Sequence, residues 1–191
     1  MTTPPLPLWK AEAADASFSD PAACAARTTS FERTIRVRNI VEYIAGGFVT
    51  VLFGASSIAA LVKGEWLVGG ALTLTLLGIF VVMWNLYQRA GNLDRRAEDP
   101  CLIHLRRQYE RQHTFLRNVP RWYLGPLVPG IVMLYAAIAY EVAQVSTWAI
   151  ALDGIKWPLA YSVGLFALIA AANWFAARSI KRKIDAIDAL A

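Results

Sequence analysis

Four apolar stretches, 40–62, 67–87, 123–143 and 157–177, each run close to the roughly 20 residues a helix needs to cross the hydrocarbon core of a bilayer. A chain built this way has few structural choices. In lipid each backbone N–H and C=O must be satisfied within its own segment, so every stretch reads as a helix. Apolar residues make up 57% of the chain and charged residues 17%, which leaves more apolar surface than a soluble domain of 191 residues would bury. The sequence therefore predicts an all-α, polytopic membrane protein whose four transmembrane helices form two hairpins.

Charge orients those helices. Every lysine and arginine except Lys63 and Lys156 lies before the first stretch, between the second and third, or after the fourth. The positive-inside rule then places both termini and the central segment in the cytoplasm. Lys63 stands near Glu65 and Lys156 near Asp153, so the outer connections are short and balanced. The net charge of +5 is apportioned by membrane side, and nucleic acid is not an expected partner. Cys24 and Cys101 both fall on the side where thiols stay reduced, so no structural disulfide is expected. The first 36 residues contain no apolar core of a signal peptide, and the first span itself is expected to direct insertion.

Along the chain, residues 1–28 read as a disordered cytoplasmic tail rich in Ala, Pro, Ser and Thr, with a PxxP pattern at Pro4 to Pro7. The four-helix membrane domain covers 29–177. Its first helix is expected to start at a capping box formed by Thr29 and Glu32. Residues 88–121 form a cytoplasmic helical segment, in which span two continues to about Arg96 and Asp99-Pro100 opens a second helix from about Cys101 to Val119. This second helix is amphipathic. Leu102, Leu105, Tyr109 and Leu116 recur on one face, with Arg106, Arg107 and Arg111 on the rest, so it presents a candidate face for a protein partner or for the anionic inner leaflet. Residues 178–191 form a basic amphipathic tail carrying Lys181-Arg182-Lys183 beside Ile180, Ile184 and Ile187.

Polar residues within the spans are costly and are the natural place to seek chemistry. Glu42, Asn85 and Asn173 lie at similar depth near the cytoplasmic ends of three spans, close to the Gly125-Pro126 break in the other, and form a candidate polar pocket. No catalytic constellation, phosphate loop or metal-binding pattern accompanies them, and no cofactor is implied. Cys101 and His104 have half of a metal-site spacing, but His113 points away from them. Gly47, Gly54, Ala55, Ala59, Gly69, Gly70, Ala167 and Ala171 are expected to mark close helix contacts, and Trp66, Trp84, Trp122, Trp148 and Trp157 to anchor span ends. Gly64 to Leu67 and Gly154 to Trp157 are expected to mark the two outer turns, part of a weak internal repeat.

At Arg38-Asn39 to Glu42-Tyr43, and again at Arg121-Trp122-Tyr123-Leu124-Gly125-Pro126 with Pro129-Gly130, the chain resembles small bacterial inner-membrane proteins without an assigned activity. The resemblance implies a multi-pass place in the bacterial inner membrane and assigns no site residue. Read as a whole, the sequence points to a non-enzymatic adaptor or regulator presenting a basic cytoplasmic face. The alternative is an oligomeric transporter or channel subunit built around Glu42, Asn85 and Asn173.

Overall fold

The computed structural model describes residues 21–93 and 100–189, and these are helical almost throughout. Five α-helices follow one another: α1 (Pro21–Val62), α2 (Trp66–Arg89), α3 (Cys101–Arg117), α4 (Val128–Val145) and α5 (Trp148–Asp188). A five-residue π-helical turn (Pro120–Leu124) and a short 3-10 turn (Gly125–Leu127) lead into α4. The segments α1, α2, Pro120–Val145 and α5 are long and apolar enough to cross a membrane.

The spanning helices lie side by side. Helix α1 packs on α2, α2 on α4, and α4 on α5, whereas α1 and α5 do not pack along each other. The row is thus open on the side where its first and last members face one another. Between α1 and α2 the chain reverses through Gly64, whose φ of 83° suits glycine. Gly64 N–H donates to Leu61 and Glu65 N–H to Ala60, the paired bonds that close a helix with a left-handed residue after its end. Ser146 and Thr147 connect α4 to α5, and the Thr147 hydroxyl accepts from Ile150 N–H to cap α5.

Close approach of α2 to α4 and to the 3-10 turn before it rests on two glycines. A Cβ at Gly78 would lie 2.4 Å from the Pro126 carbonyl oxygen, and one at Gly130 would lie 2.5 Å from Thr75. Neither was among the residues expected to mark such contacts. Of those that were, Gly69 sits tightly against Leu61 and Gly70 makes an ordinary contact with Met133, while a side chain at Gly47 would meet nothing.

Helix α3 lies at the centre of the buried core cluster. Its Leu105, Tyr109, Phe115 and Leu116 pack with Leu86 and Ala90 of α2, with Val119 and Trp122, and with Ala177, Ile180 and Ile184 of α5. The result is a cap on the basic side of the spanning row, with α3 lying chiefly on α5 and touching α1. Along the spans themselves, side chains such as Phe48, Val51, Leu165 and Leu168 face outward, as lipid contact requires.

Several expected boundaries move. Helix α1 begins at Pro21, so 21–28 continue the helix and the Thr29–Glu32 capping box does not form; the Thr29 hydroxyl instead donates to the Ala25 carbonyl inside the helix. Helix α2 stops at Arg89 and does not reach Arg96. The outer turn expected at Gly154 to Trp157 is helical, and α5 runs through Pro158. Trp122 is buried, not an interfacial anchor; its indole N–H donates to the Phe115 carbonyl at 3.1 Å. The PxxP stretch and Asp99 lie outside the described residues, and Pro100 occupies the N-cap position of α3.

Candidate functional site: the cap on the basic side

Extension of α1 past its membrane stretch brings Cys24 beside the first residue of α3. A disulfide joins Cys24 to Cys101 across 77 positions, with Cα atoms 6.3 Å apart, and the Thr28 hydroxyl lies 3.7 Å from the Cys101 sulfur. This overturns the expectation of two free thiols. The expectation came from compartment alone, and it assumed that Cys24 belongs to an unstructured tail rather than to a helix docked on α3. Cys101 is thereby removed from any metal site, and His104 Nε2 lies 3.3 Å from Glu32 Oε1 instead. No group of three potential metal ligands occurs among the described residues.

A layer of amides stitches the cap together. The Gln108 side chain is fully buried; it donates to Asn92 Oδ1 at 2.8 Å and accepts from Leu93 N–H at 2.9 Å. Asn92 donates to the Glu32 carbonyl, and Asn39 donates to the Ala90 carbonyl at 2.8 Å. The Asn39 bond satisfies a carbonyl that the end of α2 leaves without a helical partner, and the Gln108 bond satisfies the Leu93 N–H just beyond it. They fix residues 90–93 between α1 and α3.

The three residues expected to form one polar pocket have separate partners. Glu42 sits 3.6 Å from Arg38 on its own helix. Asn173 donates to the Ile169 carbonyl one turn back on α5. Asn85 crosses from α2 to donate to the Trp122 carbonyl at 3.2 Å. The physical reason is Pro126: in an α-helix the Trp122 carbonyl would accept from residue 126, and proline has no N–H to give. Asn85 takes that place in the π and 3-10 segment.

The expected partner face of α3 also divides. Leu105, Tyr109 and Leu116 are buried in the cap and Leu102 packs against it, so the apolar side is consumed within the protein. Arg106 makes a two-pronged contact with Asp188 at the end of α5, Nε to Oδ1 at 2.6 Å and Nη2 to Oδ2 at 3.3 Å, and also reaches Glu110 at 2.6 Å. Hydrogen bonding from Arg106 holds the Asp188 carboxyl below its usual range. Arg107 and Arg111 instead line a cleft of about 500 Å³ with Arg89, Thr114, Asn118 and Glu110, floored by Phe115 and Trp122. Three guanidinium groups thus surround one depression beside the end of α2, with hydroxyl and amide groups between them. Arrangements of this kind bind carboxylates or phosphates.

Sequence reasoning missed the participation of Arg89, because it was assigned to a continuing helix. Compared with family models, with curated proteins and with solved structures, the chain matches none.

Proposed function

We propose that this chain is a small integral membrane adaptor or regulator that offers a rigid basic platform at its cytoplasmic face to an acidic segment of a protein partner. The observation that carries the reading is the arginine cleft on α3. The helix is clamped by a disulfide, an ion pair to α5 and a buried apolar face, so its outward side is a preorganised surface with little conformational freedom to lose on binding. The alternative of a transport pathway through Glu42, Asn85 and Asn173 has less support, because Asn85 and Asn173 bond separate carbonyls and Glu42 lies against Arg38 rather than against either of them.

Affinity purification from native membranes in mild detergent tests this reading. A partner identified by mass spectrometry should be retained by the wild-type chain and lost from an Arg89→Glu, Arg107→Glu, Arg111→Glu variant. An Arg106→Gln variant, altered outside the cleft, should keep it. Recovery of the same proteins with all variants would refute the platform.

A further inference from the structure

With the basic face in the cytoplasm, as proposed, the Cys24–Cys101 bond stands where thiols are kept reduced. Disulfides that form in that compartment are in general transient and serve catalysis or redox sensing rather than permanent support. The inference drawn from this pair rests on the cytoplasmic placement of the cap, not on the arginine cleft or its partner.

The two sulfurs differ in access. Cys24 is 4% exposed and belongs to the core cluster, whereas Cys101 is only partly buried at its edge. Cys101 is also the first residue of α3, and the N-cap position before it is Pro100, so no capping side chain claims the N–H groups of the first turn. A helix end of this kind stabilises negative charge, which for a freed cysteine means the thiolate, the form that reacts. Cys101 is therefore the sulfur that an outside reagent meets, and Cys24 is the partner held behind it.

The bond holds an element that has little else to hold it. Between Cys24 and Ser30 only Cys24 and Thr28 are buried, one turn apart on one face of α1. The Thr28 hydroxyl donates to the Cys24 carbonyl of its own helix at 3.0 Å. From residue 31 onward α1 has independent contacts with α3: Phe31 meets the Tyr109 ring edge-on at 4.6 Å, and Glu32 lies 3.3 Å from His104. Opening the bond thus loosens 21–28 and leaves the rest of α1 docked.

We infer that Cys24 and Cys101 form a reversible redox site, opened by cytoplasmic dithiols and closed by hydroperoxides, that controls whether 21–28 stay on α3. In opening, a thiolate of the dithiol attacks the Cys101 sulfur, the bond to Cys24 breaks, and Cys24 leaves as a thiolate that takes a proton from water. The second thiolate of the reagent then attacks its own sulfur in the mixed disulfide and releases Cys101; the reagent is oxidised and the pair reduced by two electrons. In closing, the Cys101 thiolate attacks one oxygen of the hydroperoxide and breaks the O–O bond, which gives a sulfenic acid and, after protonation, water or an alcohol. The Cys24 thiol attacks the sulfenic sulfur, its proton leaves with the hydroxyl as water, and the disulfide is restored.

Sealed vesicles, inverted and right-side out, are prepared from cells that produce the full chain, and the bond is closed with hydrogen peroxide. Reduced thioredoxin, which does not cross a bilayer, is added, and free thiols are counted by maleimide labelling after quenching and denaturation. Two thiols per chain should appear in inverted vesicles and none in right-side-out ones, and renewed peroxide should remove both. On opening, hydrogen exchange at 21–28 should accelerate about tenfold or more, with 40–62 unchanged. After peroxide, a dimedone probe for sulfenic acid should label Cys24→Ser, which keeps Cys101, about tenfold faster than Cys101→Ser, which keeps Cys24. A bond that resists thioredoxin in both kinds of vesicle and opens only in denatured protein would overturn the inference by its chemistry and leave the platform standing. Opening only in right-side-out vesicles would overturn it by topology, and the cytoplasmic platform with it. Unchanged exchange at 21–28 in the open form, or faster labelling of Cys24, would also overturn it.

Discussion

If Asn85 stands in for the donor that Pro126 lacks, the two residues must be thermodynamically coupled, and the sign of the coupling is fixed. Asn85→Ala leaves the Trp122 carbonyl without its 3.2 Å partner in a site that water reaches poorly. An orphaned buried acceptor costs about 1–3 kcal/mol in soluble proteins, while hydrogen bonds measured between membrane helices average about 0.6 and reach about 1.7 kcal/mol. The expected loss is therefore about 1–2 kcal/mol, or roughly 2–8 °C in melting temperature for a chain of this size. In a Pro126→Ala background residue 126 regains an N–H and the helix can satisfy Trp122 itself, so the same Asn85→Ala change should cost at least about 0.5 kcal/mol less. Equilibrium unfolding of the four proteins in mixed micelles, followed by circular dichroism, gives the cycle. Additive effects within about 0.3 kcal/mol would refute the replacement and reduce Asn85 to a generic contact.

Other consequences follow from separate parts of the fold. Full-length protein denatured without reductant should take up no thiol reagent at Cys24 or Cys101, and two equivalents after reduction; labelling before reduction would exclude the bond. Gly78→Ala and Gly130→Ala should each destabilise the packing of α2 on α4 and its leading turn by about 1–3 kcal/mol, because backbone atoms occupy the new methyl position, while Gly47→Ala should be nearly neutral in the same unfolding assay. Comparable effects at all three sites would contradict the packing. The Arg106–Asp188 contact should respond to acid in one direction only. Since the folded Asp188 carboxyl titrates below its unfolded value, the contact stabilises docking of the α5 end above that value and is lost as pH falls through the folded one, below about pH 4. Hydrogen exchange at 184–188 should accelerate there in the wild type, and should already be fast and independent of acid in Asp188→Asn.

The four long apolar helices were legible because apolar length acts on whole segments and tolerates error in any one residue. The central amphipathic helix was legible for the same reason, and its observed limits differ from the expected ones by two residues at the C-terminal end. What was not legible depends on particular partners. Around Cys24 the residues Ala22, Ala23, Ala25 and Ala26 favour a helix by propensity, but the segment shows no apolar period, and its docking on α3 could not be read from composition. The two glycines that matter, Gly78 and Gly130, could have been suspected only by knowing that they face the Pro126 carbonyl and Thr75. For Glu42, Asn85 and Asn173 the sequence offered only depth along each helix, whereas rotation about each helix axis decides what a side chain meets: Glu42 lies against Arg38, Asn173 bonds a carbonyl of its own helix and Asn85 the Trp122 carbonyl.

Helix α3 shows why an amphipathic pattern can be read with the right period and the wrong width. Its buried face includes His104, Gln108 and Gln112 as well as the apolar residues, at positions that a hydrophobicity count assigns to solvent. For Gln108 burial is favourable because the Leu93 N–H beyond α2 needs an acceptor that an apolar side chain could not supply, whereas His104 faces Glu32 and Gln112 faces Arg38. Gln108→Leu separates the two views by sign. On a purely apolar account a buried leucine should stabilise the cap, since about 25 cal/mol is gained for each Å² of apolar surface removed from water. On the account given by the hydrogen bonds it leaves Leu93 N–H and Asn92 Oδ1 without partners, at about 1–3 kcal/mol each, which exceeds the transfer gain. A lower unfolding midpoint, with faster hydrogen exchange at 90–93, is the expected result. An unchanged or raised midpoint would mean that those groups find other partners and that the amide layer does not hold the cap.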